Sequence, residues 1–187
     1  MHILRLTRRL LLGALLFATV GVQAEQTADQ QRIAREMIQV LEAYAVYKMG
    51  QYEEAFTRYH ALAASGNRQG MLNLANMHAN GLGTDQNLEQ AFVWYQRGAE
   101  AGDAISMLEL ADAYRAGIGV AADEQQALYW YTQAADAGEP DAQWQLAQHL
   151  LASGQSEAGM EWAAKAADQG QIEAQRYLRS IQSETVR

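Results

Sequence analysis

The chain has 187 residues, with 14 Lys and Arg against 22 Asp and Glu, one proline and no cysteine. Without cysteine there is no disulfide framework, no thiolate metal site and no cysteine nucleophile. Setting aside Arg5, Arg8 and Arg9 leaves 11 basic against 22 acidic groups over 25–187, a net charge of −11, which argues against nucleic acid and anionic membrane surfaces as partners.

The first 24 residues read as an export signal. Arg5, Arg8 and Arg9 form a basic start with no acid nearby, followed by a 13-residue apolar run from Leu10 to Val22. That run is short for a bilayer span. Val22-Gln23-Ala24 then offers small residues where a signal peptidase reads. A secretory signal over 1–24, cleaved after Ala24, is the expectation, and an uncleaved anchor is the alternative. Thr7-Arg8-Arg9 is faintly twin-arginine-like, but no cofactor motif downstream requires folded export. No cysteine follows the signal to carry a lipid. The remaining 25–187 is long enough for one domain.

Residues 67–102 and 103–138 are near copies at an offset of 36 residues. AFVWYQRGAEAG ends the first and ALYWYTQAADAG ends the second. A period of this size indicates stacked supersecondary units rather than one closed core. Helical spacing runs throughout, and strand-like alternation is absent. It predicts helix pairs near 29–48 with 52–64, 68–80 with 88–101, 104–116 with 124–137, and 140–152 with 156–168. A closing helix is expected near 171–182.

Punctuation supports these spans. Asn87 with Gln90, and Asp123 with Gln126, have capping-box spacing, in which the glutamine would return to the cap's own backbone amide. Gly66, Gly102, Gly138 and Gly170 each follow an Ala-rich run, as helix-ending glycines do. Pro140 suits a first helical turn. The turns GLGTDQ and GIGVAA of the two middle pairs are four residues longer than the outer turns MGQYEE and SGQSEA. Leu74, Leu110 and Leu146, each followed by Ala, recur on the first helices as core positions. Trp94, Trp130 and Trp162 recur on the second helices. If each is buried, replacing Trp130 with Ala costs about 3–5 kcal/mol.

Catalytic constellations are missing. Gly81-x-Gly83 and Gly117-x-Gly119 lack the preceding strand and third glycine of a nucleotide loop, and read as turns. His60, His78 and His149 share no metal-ligand spacing. His78 falls opposite Tyr114 in the repeat, a packing position. Serine-nucleophile motifs are absent. The acid pairs Glu53-Glu54 and Asp123-Glu124 sit at helix starts, where carboxylates favour the positive end of the helix dipole. No catalytic residue, cofactor or metal is predicted, and the chain is read as a non-enzyme. Carboxylates brought together across helices stay open, because glycosidase acids carry no local motif.

The arrangement Leu110-Ala111-x-x-Tyr114-x-x-Gly117-x-Gly119-Val120, then Ala127-x-x-Trp130-Tyr131-x-x-Ala134-Ala135-x-x-Gly138, resembles a Sel-1-like repeat, a long-turn branch of the tetratricopeptide superfamily. The resemblance is strongest over 67–138. Residues 139–170 lack the Gly-x-Gly turn, and 29–66 is more similar to a tetratricopeptide repeat. Together these imply an all-α fold: a right-handed α-solenoid of about four helix-turn-helix repeats near 29–66, 67–102, 103–138 and 139–170. Residues 171–182 form its C-terminal cap. They also imply a role in protein–protein interaction.

In such stacks the first helices line a concave face. Positions two before and two after the core leucines then look towards the groove. Leu72, Leu108 and Trp144 make an apolar row, extended by Val40. Tyr44, Asn76, Asp112 and Gln148 make a second row, with Arg115 beside it. Either the apolar row anchors a ligand or it packs between neighbouring repeats. Trp144 is the position least needed for the core, because its repeat already has Trp162. The expected partner is a protein or peptide in the cell envelope, met by a periplasmic or secreted chain that does not engage a membrane after the signal is removed. Two other readings stand beside it. One is an immunity protein or inhibitor, whose acidic surface would suit a basic toxin. The other is a peptidoglycan- or β-lactam-acting envelope enzyme, although relatives with penicillin-binding activity resemble cysteine-rich arrays.

Overall fold

The computed structural model describes Thr27 and residues 29–185, so the expected signal over 1–24 lies outside the described residues. Every regular element among those residues is helical. They are α1 (29–48), α2 (Tyr52–Ala64), α3 (Arg68–Asn80), α4 (Leu88–Glu100), α5 (Ala104–Ala116), α6 (Glu124–Asp136), α7 (Pro140–Ala152), α8 (Ser156–Asp168) and α9 (Ile172–Thr185). The helix spans expected from periodicity and punctuation are present, and the last runs on to Thr185. Internal contacts divide the chain into two units, 1–42 and 43–187. In the first, Ile33, Met37, Ile38 and Leu41 are exposed, and Arg32 bridges Asp29 and Glu36 along the helix.

In the second unit, helices from α2 onward pack mainly on their sequence neighbours, the pattern of a helical-repeat fold. Backbone hydrogen bonding explains where they stop. At Gly66, Gly102, Gly138 and Gly170, φ lies between +86° and +97°. The next residue's amide reaches back to a carbonyl near the helix end, as from Asn67 to Leu62 and from Asp103 to Gly98. These are Schellman ends. The caps on α4 and α6 are half of what the sequence implied. Asn87 accepts from the Gln90 amide, and Asp123 from the Gln125 and Gln126 amides. The glutamine side chains do not return, because the cap amides already donate across the turn, Asn87 to His78 O and Asp123 to Tyr114 O.

The core confirms one recurrent position and corrects another. Leu74, Leu110 and Leu146 are buried, and Ala75, Ala111 and Ala147 are fully so. On the second helices the buried aromatic is tyrosine: Tyr59, Tyr95 and Tyr131. Trp94, Trp130 and Trp162 are only half-buried. Adjacent helical residues point about 100° apart, so one of each Trp-Tyr pair faces inward. Each tyrosine has alanine four residues before and after, Ala55 and Ala63, Ala91 and Ala99, Ala127 and Ala135, all buried. This small-residue stripe lets the first helix come close. Trp94 and Trp162 instead meet cationic neighbours, with Arg97 4.4 Å from the Trp94 ring centroid and Lys165 3.9 Å from that of Trp162, while Trp130 packs edge-on to Tyr129. The large cost expected of Trp130→Ala therefore passes to Tyr131.

The longer turns join one repeat to the one before. A Cβ on Gly83 would lie 2.2 Å from Tyr52 O, and one on Gly119 would lie 2.2 Å from Leu88 O. In each case the second glycine of the turn rests on the first residue of the preceding second helix. In the short turn at Gly154 a Cβ would meet nothing within 4 Å.

Candidate functional site

The helix face carrying Asn76 and Asp112 is built on a repeated cross-brace. Tyr95 donates from its hydroxyl to Asn76 Oδ1 at 2.5 Å. One repeat on, Tyr131 donates to Asp112 Oδ1 at 2.5 Å. Asp112 also accepts from Arg115 at 2.6 Å. Burial pushes both phenols upward, with the charge of Glu109 adding at Tyr95 and the hydrogen bond to Asp112 adding at Tyr131. They remain neutral donors at physiological pH. The brace ties each second helix to the first helix of its repeat and fixes the rotamers of the partly exposed acceptor.

At the start of this row lies a pocket of about 100 Å³ lined by Tyr44, Tyr47, Tyr59, Asn73, Asn76, Met77, Asn80 and Leu82. Small-molecule sites run to roughly 300–1,000 Å³, so this space suits a single side chain. Tyr44 stands 51% exposed at the rim. Tyr59 is 1% exposed, and its phenol is pushed up to about 12, chiefly by desolvation and then by Tyr47 and Tyr44. Asn73 Nδ2 donates to Gln69 O and Asn80 Nδ2 donates to Asn76 O. A carbonyl only accepts, so these bonds fix the amide orientations and leave both Oδ1 atoms for an incoming group.

Further along the row, Glu109 is half-buried, and desolvation and then Asp112 raise its carboxyl above the ordinary carboxylate range. Arg115 and Gln148 are exposed. Thus Tyr44, Asn76, Asp112, Arg115 and Gln148 are accessible or partly so. The apolar row divides. Leu72, 4% exposed, belongs to the core with Ala75, Tyr95 and Leu110. Leu108 is half-buried against the clusters around Leu146 and Tyr131. Trp144, 9% exposed, packs with Ala147, Ala163, Ala166 and Ala174, its ring centroid 5.5 Å from that of Tyr177. Leu72 and Trp144 are therefore packing residues, not groove anchors. The closing helix α9, through Ala174 and Tyr177, supplies Trp144 with its partner.

Sequence reasoning missed Tyr59, Asn73, Asn80 and Glu109. Asn73 and Asn80 flank Asn76 at helical spacing, and that signal could have found them. Among the described residues, no group of three or more His, Asp or Glu side chains is disposed to hold a metal ion.

Comparison with known proteins places this architecture. The Sel1 repeat model matches residues 68–103, 104–139 and 140–171, more than half of the chain. No curated protein matches in a sequence comparison. Among solved structures, the chain is similar to a protective antigen of uropathogenic Escherichia coli that displays an SLR fold. The two are 34% identical, with a TM-score of 0.63, over 68% of this chain and 28% of that one. It is also similar to a Sel1 repeat protein from Oxalobacter formigenes, 27% identical with a TM-score of 0.66, over 73% of this chain and 56% of that one. The chain thus spans less than two thirds of either. An immunity protein from Pseudomonas aeruginosa shares the fold at 21% identity and a TM-score of 0.52, over 71% of this chain and 55% of that one. With three matched units and the Gly-x-Gly turns seated on the preceding repeat, this chain belongs to the Sel1 repeat family.

Proposed function

We propose that the chain is an exported interaction module that grips a peptide or protein segment along the groove formed by its first helices. The observation that carries this reading is the braced row, in which Asn76 and Asp112 are held by Tyr95 and Tyr131 while keeping part of their hydrogen-bonding capacity. Preorganised polar groups lose little entropy on binding. Family membership supports protein partners, because the Sel1 repeat is typically a non-enzymatic scaffold. The basic and apolar start of the chain supports a periplasmic location.

The test is capture from an envelope extract. A variant carrying Tyr44→Ser, Arg115→Glu and Gln148→Lys should lose the partner. A control carrying Glu89→Lys and Glu161→Lys on the second helices should keep it. Equal capture by both removes the groove from the reading.

A second reading, an immunity protein against a basic toxin, draws on the net charge of −11 over 25–187. The shared fold with a Pseudomonas immunity protein is compatible with it. It requires one partner, tight binding, and affinity that falls steeply with salt.

A further inference from the structure

The pocket at the head of the row has a chemistry of its own. Three tyrosines line it, with Met77 and Leu82 completing its apolar wall, and Asn73, Asn76 and Asn80 arrayed on one face of α3. No Lys, Arg or His is among the lining residues. The polar atoms left over at Asn73 and Asn80 are carbonyl oxygens, since their amide nitrogens donate to the helix. Phenol hydroxyls add further acceptors. Aromatic rings attract cations through their negative faces, and Lys48 Nζ already stands 5.9 Å from the Tyr44 ring centroid. The chain as a whole carries a net charge of −8. Rings and acceptor oxygens therefore agree in sign.

We infer that this pocket is a specificity site for a lysine or arginine side chain of the bound segment. The inference rests on the groove reading above and adds the identity of the anchor. A basic side chain would lay its alkyl stem on Met77, Leu82 and the tyrosine rings. Its cationic head would meet the Asn73 and Asn80 oxygens.

Two pentapeptides, Gly-Ala-Lys-Ala-Gly and its norleucine counterpart, make the probe, titrated into the full chain labelled on its tyrosine rings and followed by NMR. The lysine peptide should shift the Tyr44, Tyr47 and Tyr59 ring signals and bind about ten-fold tighter than the norleucine peptide, the ratio that one such cation–ring contact supplies. Asn80→Lys, at an exposed helix position, should abolish lysine binding and leave the circular dichroism spectrum unchanged. Tyr47→Leu should weaken it about ten-fold, with its melting curve recorded as the folding control. Tighter norleucine binding overturns the inference, because the pocket is then simply apolar. So does lysine binding that survives Asn80→Lys, because the peptide then sits elsewhere on the acidic surface. No shift at millimolar peptide overturns it as well. If these fail while groove variants still lose partner capture, the groove stands and only its basic anchor falls.

Discussion

Gly119→Ala isolates the contact that joins the repeats. Two penalties act there. At φ +70° an alanine is strained by about 1–2 kcal/mol. Its methyl carbon would also stand 2.2 Å from Leu88 O and 2.7 Å from the Leu88 carbonyl carbon, where ordinary contact begins at 3.4 Å. Both atoms are backbone at the start of α4, so no side chain can swing away. The turn must retreat by roughly 1 Å, an overpacking cost of about 1–3 kcal/mol. The total is about 2–5 kcal/mol. Gly138→Ala is the matched control, since φ there is +97° and the added Cβ meets nothing within 4 Å. It carries the conformational penalty alone, about 1–2 kcal/mol. Urea unfolding followed by circular dichroism, fitted with a shared slope, gives both values. If the two variants lose equal stability, the turn does not bear on the preceding repeat and the stacking argument fails.

Tyr131→Phe should destabilise by about 1.5–3 kcal/mol and Tyr95→Phe by about 0.5–1.5 kcal/mol, since the first loses a bond to a carboxylate and the second a bond to a neutral amide. Equal losses in chemical unfolding would remove the brace from the stability of the fold. His78→Phe tests a half-buried imidazole. Its ring packs edge-on to Phe56, as Tyr114 packs on Phe92 one repeat later. Burial, and then His60, lower its pKa from 6.5. A depressed folded pKa means the unfolded chain binds the proton more readily, so stability falls as pH drops from 6.5 towards the folded value. The melting temperature of His78→Phe relative to the parent should therefore rise between pH 7.5 and pH 5.5. A difference independent of pH would show that His78 does not titrate differently on folding.

Almost all of the architecture was legible because this fold repeats its own instructions. The leucine-alanine pairs at Leu74, Leu110 and Leu146, and the helix-ending glycines, are local signals that fix period and boundaries without tertiary knowledge. The Trp-Tyr pairs were misassigned for a physical reason. Size suggested that tryptophan is the core residue, while the alanines four positions either side of Tyr95 and Tyr131 decide which ring faces the neighbouring helix. Trp144 illustrates another limit. Its environment is completed by Tyr177 and Ala174 on α9, so the final repeat cannot be judged without its cap. The accessible row was partly foreseen at Asn76 and Asp112, but their bonds to Tyr95 and Tyr131 span 19 residues. The pocket draws on three helices, and no single stretch of sequence contains it.

The unequal turns give the array an uneven mechanical character. Gly83 and Gly119 seat backbone on backbone across two successive seams. The seam between the third and fourth repeats has no such seat at Gly154, where a Cβ would meet nothing within 4 Å, and is held by the cluster of Ala134, Ala135, Ala142 and Leu146. Backbone seats fix the angle between neighbours whatever side chains surround them. A seam made of side chains can be retuned by ordinary substitution. Substitution at that seam can therefore shift Gln148 while Tyr44, Asn76 and Asp112 keep their spacing.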